Sequence, residues 1–178
     1  KIGKEAIKDG IIIADPIQFP DQMGIRTVQN IRNYFLGKPF EKMELIPTKL
    51  YTKADADKDP ELSADPPPTP AVPEVKGDAG TIGVSVLTLT NPFFQVIADN
   101  IKAEAAKHGY KVEVVSGDKD VNKQAGQVDA FIAKKVKAIV LNPSDRTAIG
   151  PAIVKAKQAG IPVVTCDLQC VHEEAKIT

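Results

Sequence analysis

The chain has 178 residues, of which 43% are hydrophobic and 26% charged, and its 23 basic and 23 acidic side chains give a formal net charge of zero. This balance is typical of a folded protein with one domain or slightly more, and it excludes a disordered chain. Because there is no basic surplus and no dense Lys/Arg run, we expect no nucleic-acid partner. No apolar run approaches the length of about 18 residues that a membrane-spanning helix needs.

The first 59 residues predict two helices and two strands. A short helix at 2–9 is followed by a strand "IIIA" at 11–14, a helix at about 22–36 that stops at Gly37, and a strand at 43–51. The loop "DPIQFPDQMG" after the first strand carries two prolines and several polar side chains.

Residues 60–78 form a predicted linker. Six of the fourteen residues from Pro60 to Pro73, "PELSADPPPTPAVP", are proline. Proline cannot donate to a strand ladder and does not fit a helix interior, so this segment predicts an extended connector between residues 1–59 and 79–178.

The second part alternates strands and helices. Apolar strand patterns at 81–89, 111–115, 138–142 and 162–166 are separated by helical patterns at about 92–108, 121–135 and 146–159. Asn91 is a suitable N-cap, Pro92 fits the first helical position, and Gly109 and Gly160 fit the C′ positions of their helices. Short apolar strands joined by helices predict right-handed βαβ units. The fold class is therefore a three-layer α/β/α domain with a mostly parallel sheet of about five strands.

The sequence carries no recognisable catalytic motif. The serine in "GVSVL" lies in mid-strand without the second glycine of a nucleophile elbow, and the glycines of "GDAGTIG" precede a strand instead of following it. Cys166 and Cys170 with His172 supply too few ligands for a zinc site, so we expect no metal and no cofactor. The two cysteines allow either a disulfide in an oxidising compartment or burial as small apolar side chains.

Polar and aromatic side chains collect where the predicted parallel strands end. These residues are Asn91, Phe93, Phe94, Asp118, Asp120, Ser144, Asp145, Asp167, Gln169 and Gln18. In an open parallel sheet, ligands bind outside the carboxyl ends of the strands. Amides, carboxylates and aromatic faces together suit a neutral polyhydroxyl ligand, because they bind hydroxyl groups and cover the apolar C–H face of a sugar.

These residues differ in how well a structural role explains them. Phe94 lies on the apolar stripe of its helix, so packing and binding are both open, whereas Phe93 lies off that stripe and favours binding. Asp145 is best explained as a helix cap, and Asp118 and Asp120 as turn residues. Asp167 directly follows an apolar strand and caps no predicted helix, which favours a functional role.

Several segments resemble the type I periplasmic sugar-binding proteins, in particular those similar to ribose-binding protein. Residues 80–169 resemble the start of such proteins through the segments "IGVSVLTLTNPFFQVIADNIKAEAAKHGYKVEV", "AIVLNPSD" and "AGIPVVTCDLQ". Residues 3–52 resemble their end through "AIKDGIIIADPIQFPDQMG" and "YFLGKPFEKMELIPTKLYTK".

The order of these segments is reversed relative to the family. The segment similar to the C-terminal end comes first, and a domain-sized stretch that would build most of a second lobe is absent. Either residues 1–59 and 79–178 form one lobe as a circularly permuted half, or they belong to neighbouring copies in a tandem fusion. The proline-rich linker then corresponds to the lead-in that tethers a mature binding protein.

The resemblance implies a function and a set of sugar contacts. The parent protein is expected to bind a mono- or small saccharide and to deliver it to the membrane permease of an ABC importer. It would do so in the periplasm or another extracytoplasmic space, with its signal peptide removed and a lipid anchor as an option. The implied sugar contacts are Asn91, Phe93, Phe94, Asp167 and Gln18, and Gln169 joins them from its position at a strand end. Leu168 stands where the family usually has an arginine, which leaves the identity of the sugar open.

Other interpretations remain open at this stage. The ligand-sensing domain of a LacI-like regulator shares the core fold but would require a helix-turn-helix, and none precedes Gly80. A flavodoxin-like module would be recognised by bound FMN, and a small α/β enzyme would require a catalytic pair. We expect a binding protein, not an enzyme. With the opposing lobe missing, we expect weak sugar binding, or pairing with that lobe or with a second copy of the chain.

Overall fold

The computed structural model describes residues 2–62 and 77–172. The chain divides into two compact units. The smaller unit comprises Lys1–Phe19 and Leu45–Ala71, and the larger unit comprises Pro20–Glu44 and Val72–Thr178. Most of the predicted linker at 60–78 lies outside the described residues.

The described elements alternate in type along the chain. In order they are α1 (Ile2–Lys8), β1 (Ala14–Ile17), α2 (Pro20–Phe35), β2 (Lys49–Thr52), α3 (Lys53–Ala56), a 3₁₀ turn (Pro60–Leu62), β3 (Gly80–Val86), α4 (Pro92–Lys107), β4 (Tyr110–Ser116), α5 (Val121–Ala133), β5 (Ala138–Leu141), α6 (Gly150–Gln158) and β6 (Val163–Thr165).

The smaller unit is built on a two-stranded antiparallel sheet in which Ala14 pairs with Thr52 and Ile17 with Lys49. Its core contains Ile7, Tyr51 and Ala56. The Tyr51 hydroxyl donates to Asp59 Oδ2 at 2.6 Å. Burial and the neighbouring carboxylate raise the pKa of Tyr51 to about 12. A single buried tyrosine therefore joins the sheet to the segment that follows α3.

The predicted strand "IIIA" is wrong in position. The strand begins only at Ala14, and Ile11 and Ile13 are 77% and 93% exposed in a bend that follows Gly10. Gly10 has φ +75°, which turns the chain out of α1. The predicted strand at 43–51 is likewise shorter, because only Lys49–Thr52 finds a partner strand.

The larger unit contains a fully parallel sheet with the strand order β4-β3-β5-β6. It confirms the predicted α/β class, with four strands instead of about five, because "IIIA" does not join it. Alternate strand residues face opposite layers. Ile82, Val84 and Val140 pack with α2 and α4, whereas Ile139, Leu141 and Val163 pack with α5 and α6. This is the predicted three-layer arrangement.

Helix α2 packs closely on α4 because Gly24 has no side chain. A Cβ atom at Gly24 would lie 2.6 Å from the carbonyl oxygen of Ile97 and 2.9 Å from Cβ of Asn100. Val28 and Ile31 on the same helix are buried in the core. Residues 20–35 are therefore part of the larger unit, although about forty positions separate them from β3 in sequence.

Caps place the helix boundaries close to the predicted ones. Asn91 caps α4 with Pro92 in the first turn, and Gly109 and Gly160 have positive φ after α4 and α6. Helix α6 begins later than predicted, at Gly150, because Asp145 caps a preceding turn by accepting from the N–H groups of Thr147 and Ala148. In the part of the chain that the structure describes, no helix has the length and hydropathy needed to cross a bilayer.

Candidate ligand-binding site

The loops that follow the four parallel strands meet at one edge of the larger unit, here called the carboxyl edge. It comprises residues 87–91, 117–120, 142–145 and 166–169. The chain passes from β4 across β3 to β5, so the sheet has its topological switch point between the loops after β3 and β5. Such a point is the usual position of a ligand in an open parallel sheet.

The loop after β3 is fixed by hydrogen bonds that leave Asn91 free to act as a donor. Asn91 Oδ1 accepts from the N–H of Phe93 at 3.0 Å and so caps α4. Its side chain is exposed, and its Nδ2 donates to no other described residue. Thr88 and Thr90 bond to each other through their hydroxyl oxygens at 3.0 Å.

The two phenylalanines of this loop form an edge-to-face pair. Their ring centroids lie 5.3 Å apart with an interplanar angle of 89°. Phe94 is 6% exposed and belongs to the core, whereas Phe93 is half-buried and packs against that core. The sequence indicated no packing role for Phe93, and the structure shows one. The ring of Phe94 therefore packs against the ring of Phe93, and part of the Phe93 ring remains accessible to solvent.

Asp167 adopts a strained backbone conformation after β6. Its φ is +68°, and the N–H of Leu168 donates to the carbonyl of Cys166 at 2.9 Å. This is a γ-turn of the rarer, positive-φ form. Such strain is concentrated at functional sites, where the surrounding structure maintains it. The position of Asp167 therefore favours a functional role.

The Asp167 carboxylate is accessible to solvent but not fully hydrated. The surrounding protein removes part of its hydration and so raises its pKa above the ordinary value. Among the described residues, none donates a hydrogen bond to the Asp167 carboxylate. Its oxygens are thus open to hydroxyl donors from outside the chain.

The other acids of the carboxyl edge are engaged within the chain. Asp118 accepts from Lys123 and Ser116, and these two contacts lower its pKa. Asp120 caps α5 by accepting from the N–H groups of Asn122 and Lys123. Backbone N–H groups also lower the pKa of Asp145. As predicted, these three carboxylates have structural roles.

A buried amide network beneath the edge was not predicted. Gln124 is fully buried, its Nε2 donates to the carbonyl of Asn142 at 2.9 Å, and its Oε1 accepts from the N–H of Ser144 at 2.7 Å. Asn142 Nδ2 donates to the carbonyl of Cys166 at 2.7 Å. The helical spacing of Gln124 from Val128 and Phe131 was a signal that this amide faces the core.

Two polar atoms of this network have no partner in the described structure. These are Asn142 Oδ1 and Ser144 Oγ, both buried. Both atoms are shielded from solvent, so they belong to the packed layer beneath the carboxyl edge.

The remaining predicted contacts lie in different places. Gln169 is exposed on the loop after β6, where its carbonyl accepts from Arg146 Nε at 2.9 Å. Gln18 is exposed and directly follows β1 in the smaller unit. The larger unit therefore carries Asn91, Phe93 and Asp167 on loops at its carboxyl edge, with the ring of Phe94 packed against that of Phe93 and Gln169 two residues after Asp167.

Cys166 and Cys170 are both buried, and no disulfide joins them. Cys166 packs in the core shared with α2 and α4, whereas Cys170 packs in the core shared with α5 and α6. Because the thiols face opposite layers, a disulfide between them would require one to leave its core. No group of three or more potential metal ligands occurs within residues 2–62 and 77–172.

A second polar cleft, of about 280 Å³, lies at the C-terminal end of α4, remote from Asn91. It is lined by Gln29, Arg32, Asn33, Glu104 and His108. Glu104 accepts from Lys107 at 2.8 Å and lies 3.4 Å from His108 Nε2. Although burial opposes its ionisation, hydrogen bonds from Lys107, Gln29 and His108 keep the pKa of Glu104 low. The residues that line this cleft come from α2 and from the end of α4, so we interpret them as part of the packing between these two helices.

The fold and the carboxyl edge together are those of an α/β domain with a candidate ligand site at the carboxyl edge of a parallel sheet. The sequence profile of the periplasmic binding protein domain matches residues 82–176, which is more than half of the chain. The chain therefore belongs to the periplasmic binding protein family.

Two characterised relatives illustrate the range of ligands in similar proteins. The ribose import binding protein RbsB of Bacillus subtilis is 43% identical over 103 residues, covering 57% of this chain and 34% of the relative. The D-apiose import binding protein of Actinobacillus succinogenes is 37% identical over 93 residues, covering 52% of this chain and 30% of the relative. The chain thus spans about a third of the length of these relatives.

A solved structure agrees with this assignment. An ABC transporter periplasmic solute-binding protein from Actinobacillus succinogenes, with bound D-allose, matches with a TM-score of 0.51 and 30% identity. The match covers 54% of this chain and 34% of that protein. The fold match thus extends over about half of the chain.

Proposed function

We propose that the chain binds a neutral mono- or small saccharide at the carboxyl edge of the larger unit. This proposal rests on two polar groups of the carboxyl edge that form no hydrogen bond with the described residues, although the neighbouring aspartates do. Among the described residues, the Asp167 carboxylate has no donor and the Asn91 Nδ2 group has no acceptor, while Asp118, Asp120 and Asp145 are all engaged. The import binding proteins for ribose and D-apiose support a sugar as the ligand.

Each side chain has a defined chemical role in this proposal. Asp167 accepts hydrogen bonds from sugar hydroxyls, and Asn91 Nδ2 donates one. Phe93 covers the apolar C–H face of the sugar and Phe94 supports it from behind. Two strand spacings, roughly 10 Å, separate the loops after β3 and β6, which one sugar ring spans with a hydrogen bond at each end. Gln169 is a further proposed contact on the loop that carries Asp167.

The proposed physiological context is an ABC sugar importer. The parent protein would be the periplasmic or extracytoplasmic solute-binding component, with a removed signal peptide or a lipid anchor, and would deliver sugar to a membrane permease. The names of the import binding proteins support this role. We also infer that the chain is a binding protein and not an enzyme.

The isolated chain is expected to bind sugar weakly. Tight small-molecule sites bury most of the ligand surface, and a single sheet edge covers one side only. We propose that residues 1–59 and 79–178 represent one lobe in permuted order. The other side of the ligand would then come from a second lobe, and the chain would pair with that lobe or with a second copy of itself.

Ligand-observed NMR tests the proposal, because saturation-transfer difference spectra detect dissociation constants in the millimolar range. We expect signals from a pentose or hexose with the unmodified chain and their loss in Asp167→Asn. The matched control is Asp118→Asn, since Asp118 is also a strand-end aspartate with positive φ but is bound to Lys123. The proposal would be contradicted if Asp167→Asn and Asp118→Asn both lost binding. It would also be contradicted if the unmodified chain bound none of the sugars.

A further inference from the structure

Leu168 directly follows Asp167 in the chain, so the turn that carries the unengaged carboxylate also carries an apolar side chain. Leu168 is 38% exposed, and its N–H is held by the carbonyl of Cys166 within the strained γ-turn. A single exposed leucine on a surface requires no explanation. Leu168 differs because it lies in the same γ-turn as Asp167. The hydrogen bond from the N–H of Leu168 to the carbonyl of Cys166 therefore fixes the backbone of both residues.

A second exposed leucine lies on the loop after β3. Leu89 is 37% exposed, and its N–H donates to Ser116 Oγ at 3.3 Å. The neighbouring Thr88 and Thr90 direct their hydroxyl groups towards each other. Together with the accessible part of Phe93, the two leucines add exposed apolar area to the same two loops that carry Asn91 and Asp167.

This pattern restricts the saccharide that the edge can bind well. A sugar hydroxyl held against a leucine side chain loses its hydrogen bonds to water without gaining a partner, which is unfavourable. A methyl or methylene group in the same position gains apolar contact instead. Leu168 also offers no donor for a sugar oxygen, and no described residue supplies a cation to the Asp167 carboxylate.

We propose that the ligand is a deoxy sugar whose methyl or methylene group rests against Leu168, while its remaining hydroxyls bond Asp167 and Asn91. This inference rests on the proposed function and adds the substrate class to it. Leu168 is then the residue that determines specificity between a deoxy sugar and its fully hydroxylated counterpart.

Matched sugar pairs test this inference with the full chain. The pairs are D-fucose with D-galactose, L-rhamnose with L-mannose, and 2-deoxy-D-ribose with D-ribose, each titrated by saturation-transfer difference NMR. We expect the deoxy member of at least one pair to bind about 5-fold more tightly or better, as a well-placed methyl group does in an apolar subsite. Binding of sugars with equal affinity within all pairs, or preference for the hydroxylated members, would overturn the inference alone. Absence of binding by every sugar would overturn the proposed function with it.

Variants at Leu168 separate a specific contact from a structural role. Leu168→Arg should reverse the preference within the responsive pair, because a guanidinium donates to hydroxyl oxygens, and Leu168→Met should retain it. Val171→Ala is the control, since Val171 is also exposed but lies outside the turn. Circular dichroism would establish that each variant is folded. An unchanged preference in folded Leu168→Arg, or an equal change in Val171→Ala, would overturn the role of Leu168.

Discussion

At the scale of single residues, Asp167 and Asp118 show the same residue type in two different environments at one sheet edge. Both follow parallel strands and both have positive φ. The pKa of Asp118 is lowered by Lys123 and Ser116, whereas loss of hydration raises that of Asp167. A raised carboxylate pKa in the folded state reduces stability at neutral pH, and a lowered one increases it.

These opposite shifts predict opposite effects of Asp→Asn substitution. At pH 7, Asp167→Asn should raise Tm slightly, and the gain should vanish as the pH falls below the ordinary aspartate pKa of 3.8. Asp118→Asn should leave Tm unchanged or lower it, and this loss should also disappear in acid. Thermal unfolding followed by circular dichroism between pH 3 and about 7 provides the measurement. A lower Tm for Asp167→Asn at pH 7 would contradict the assignment.

Asn91 combines two roles that substitution can separate. Asn91→Asp keeps the oxygen that caps α4 but removes the amide donor, so stability should change by less than about 0.5 kcal/mol while sugar affinity falls several-fold. Asn91→Ala should lose both, with a stability cost of about 1 kcal/mol. Urea unfolding and NMR titration measure the two effects. Unchanged sugar binding in Asn91→Asp would leave this residue with its capping role only.

At the scale of elements, the contact between α2 and α4 attaches a distant segment to the larger unit. Gly24 allows the approach, because a side chain there would meet the backbone of α4. Helix periodicity predicted both helices to within a few residues. It did not predict that they touch, since pairing of two amphipathic faces depends on the whole fold.

We expect Gly24→Ala to destabilise the larger unit by about 1–3 kcal/mol, as overpacking does. The control is Gly126→Ala on α5, where no atom lies within 4 Å of the added Cβ. That substitution should stabilise the chain by about 0.5–1 kcal/mol, because alanine is the better helix former. Urea denaturation measures both. Similar effects of the two substitutions would argue against a close helix contact at Gly24.

At the scale of the whole molecule, the described part of the smaller unit combines a small core with several exposed large apolar side chains. Its core holds Ile7, Tyr51 and Ala56, whereas Ile11, Ile13, Leu45 and Leu50 are exposed. A two-stranded sheet is marginally stable alone and has two open edges. The chain also spans only about a third of the length of its relatives. We infer that this surface is covered in the functional assembly.

If a second copy covers the surface, the chain should dimerise with rising concentration in sedimentation velocity experiments. The double substitution Ile11→Lys and Ile13→Lys should then yield monomers, because it places like charges on the contact surface. Leu36→Lys is the control, since Leu36 is an exposed residue of the larger unit. A single monomeric species of the unmodified chain at high concentration would exclude self-association and favour the proposed second lobe as the partner.

The sequence by itself determined the α/β class, the order of β3–α4–β4–α5–β5–α6–β6 and the caps at Asn91 and Gly109. These features depend on local periodicity and on side chains a few residues apart. It also indicated Asn91, Phe93 and Asp167 as candidate contacts, because parallel strands end at a common edge.

Only the tertiary structure decided which of these side chains are engaged elsewhere. It placed Phe94 in the core and joined the side chain of Gln124 to the backbone of Asn142 and Ser144. It also showed "IIIA" outside the sheet and the two cysteines in opposite core layers. These outcomes depend on contacts between residues far apart in sequence, which no local pattern encodes.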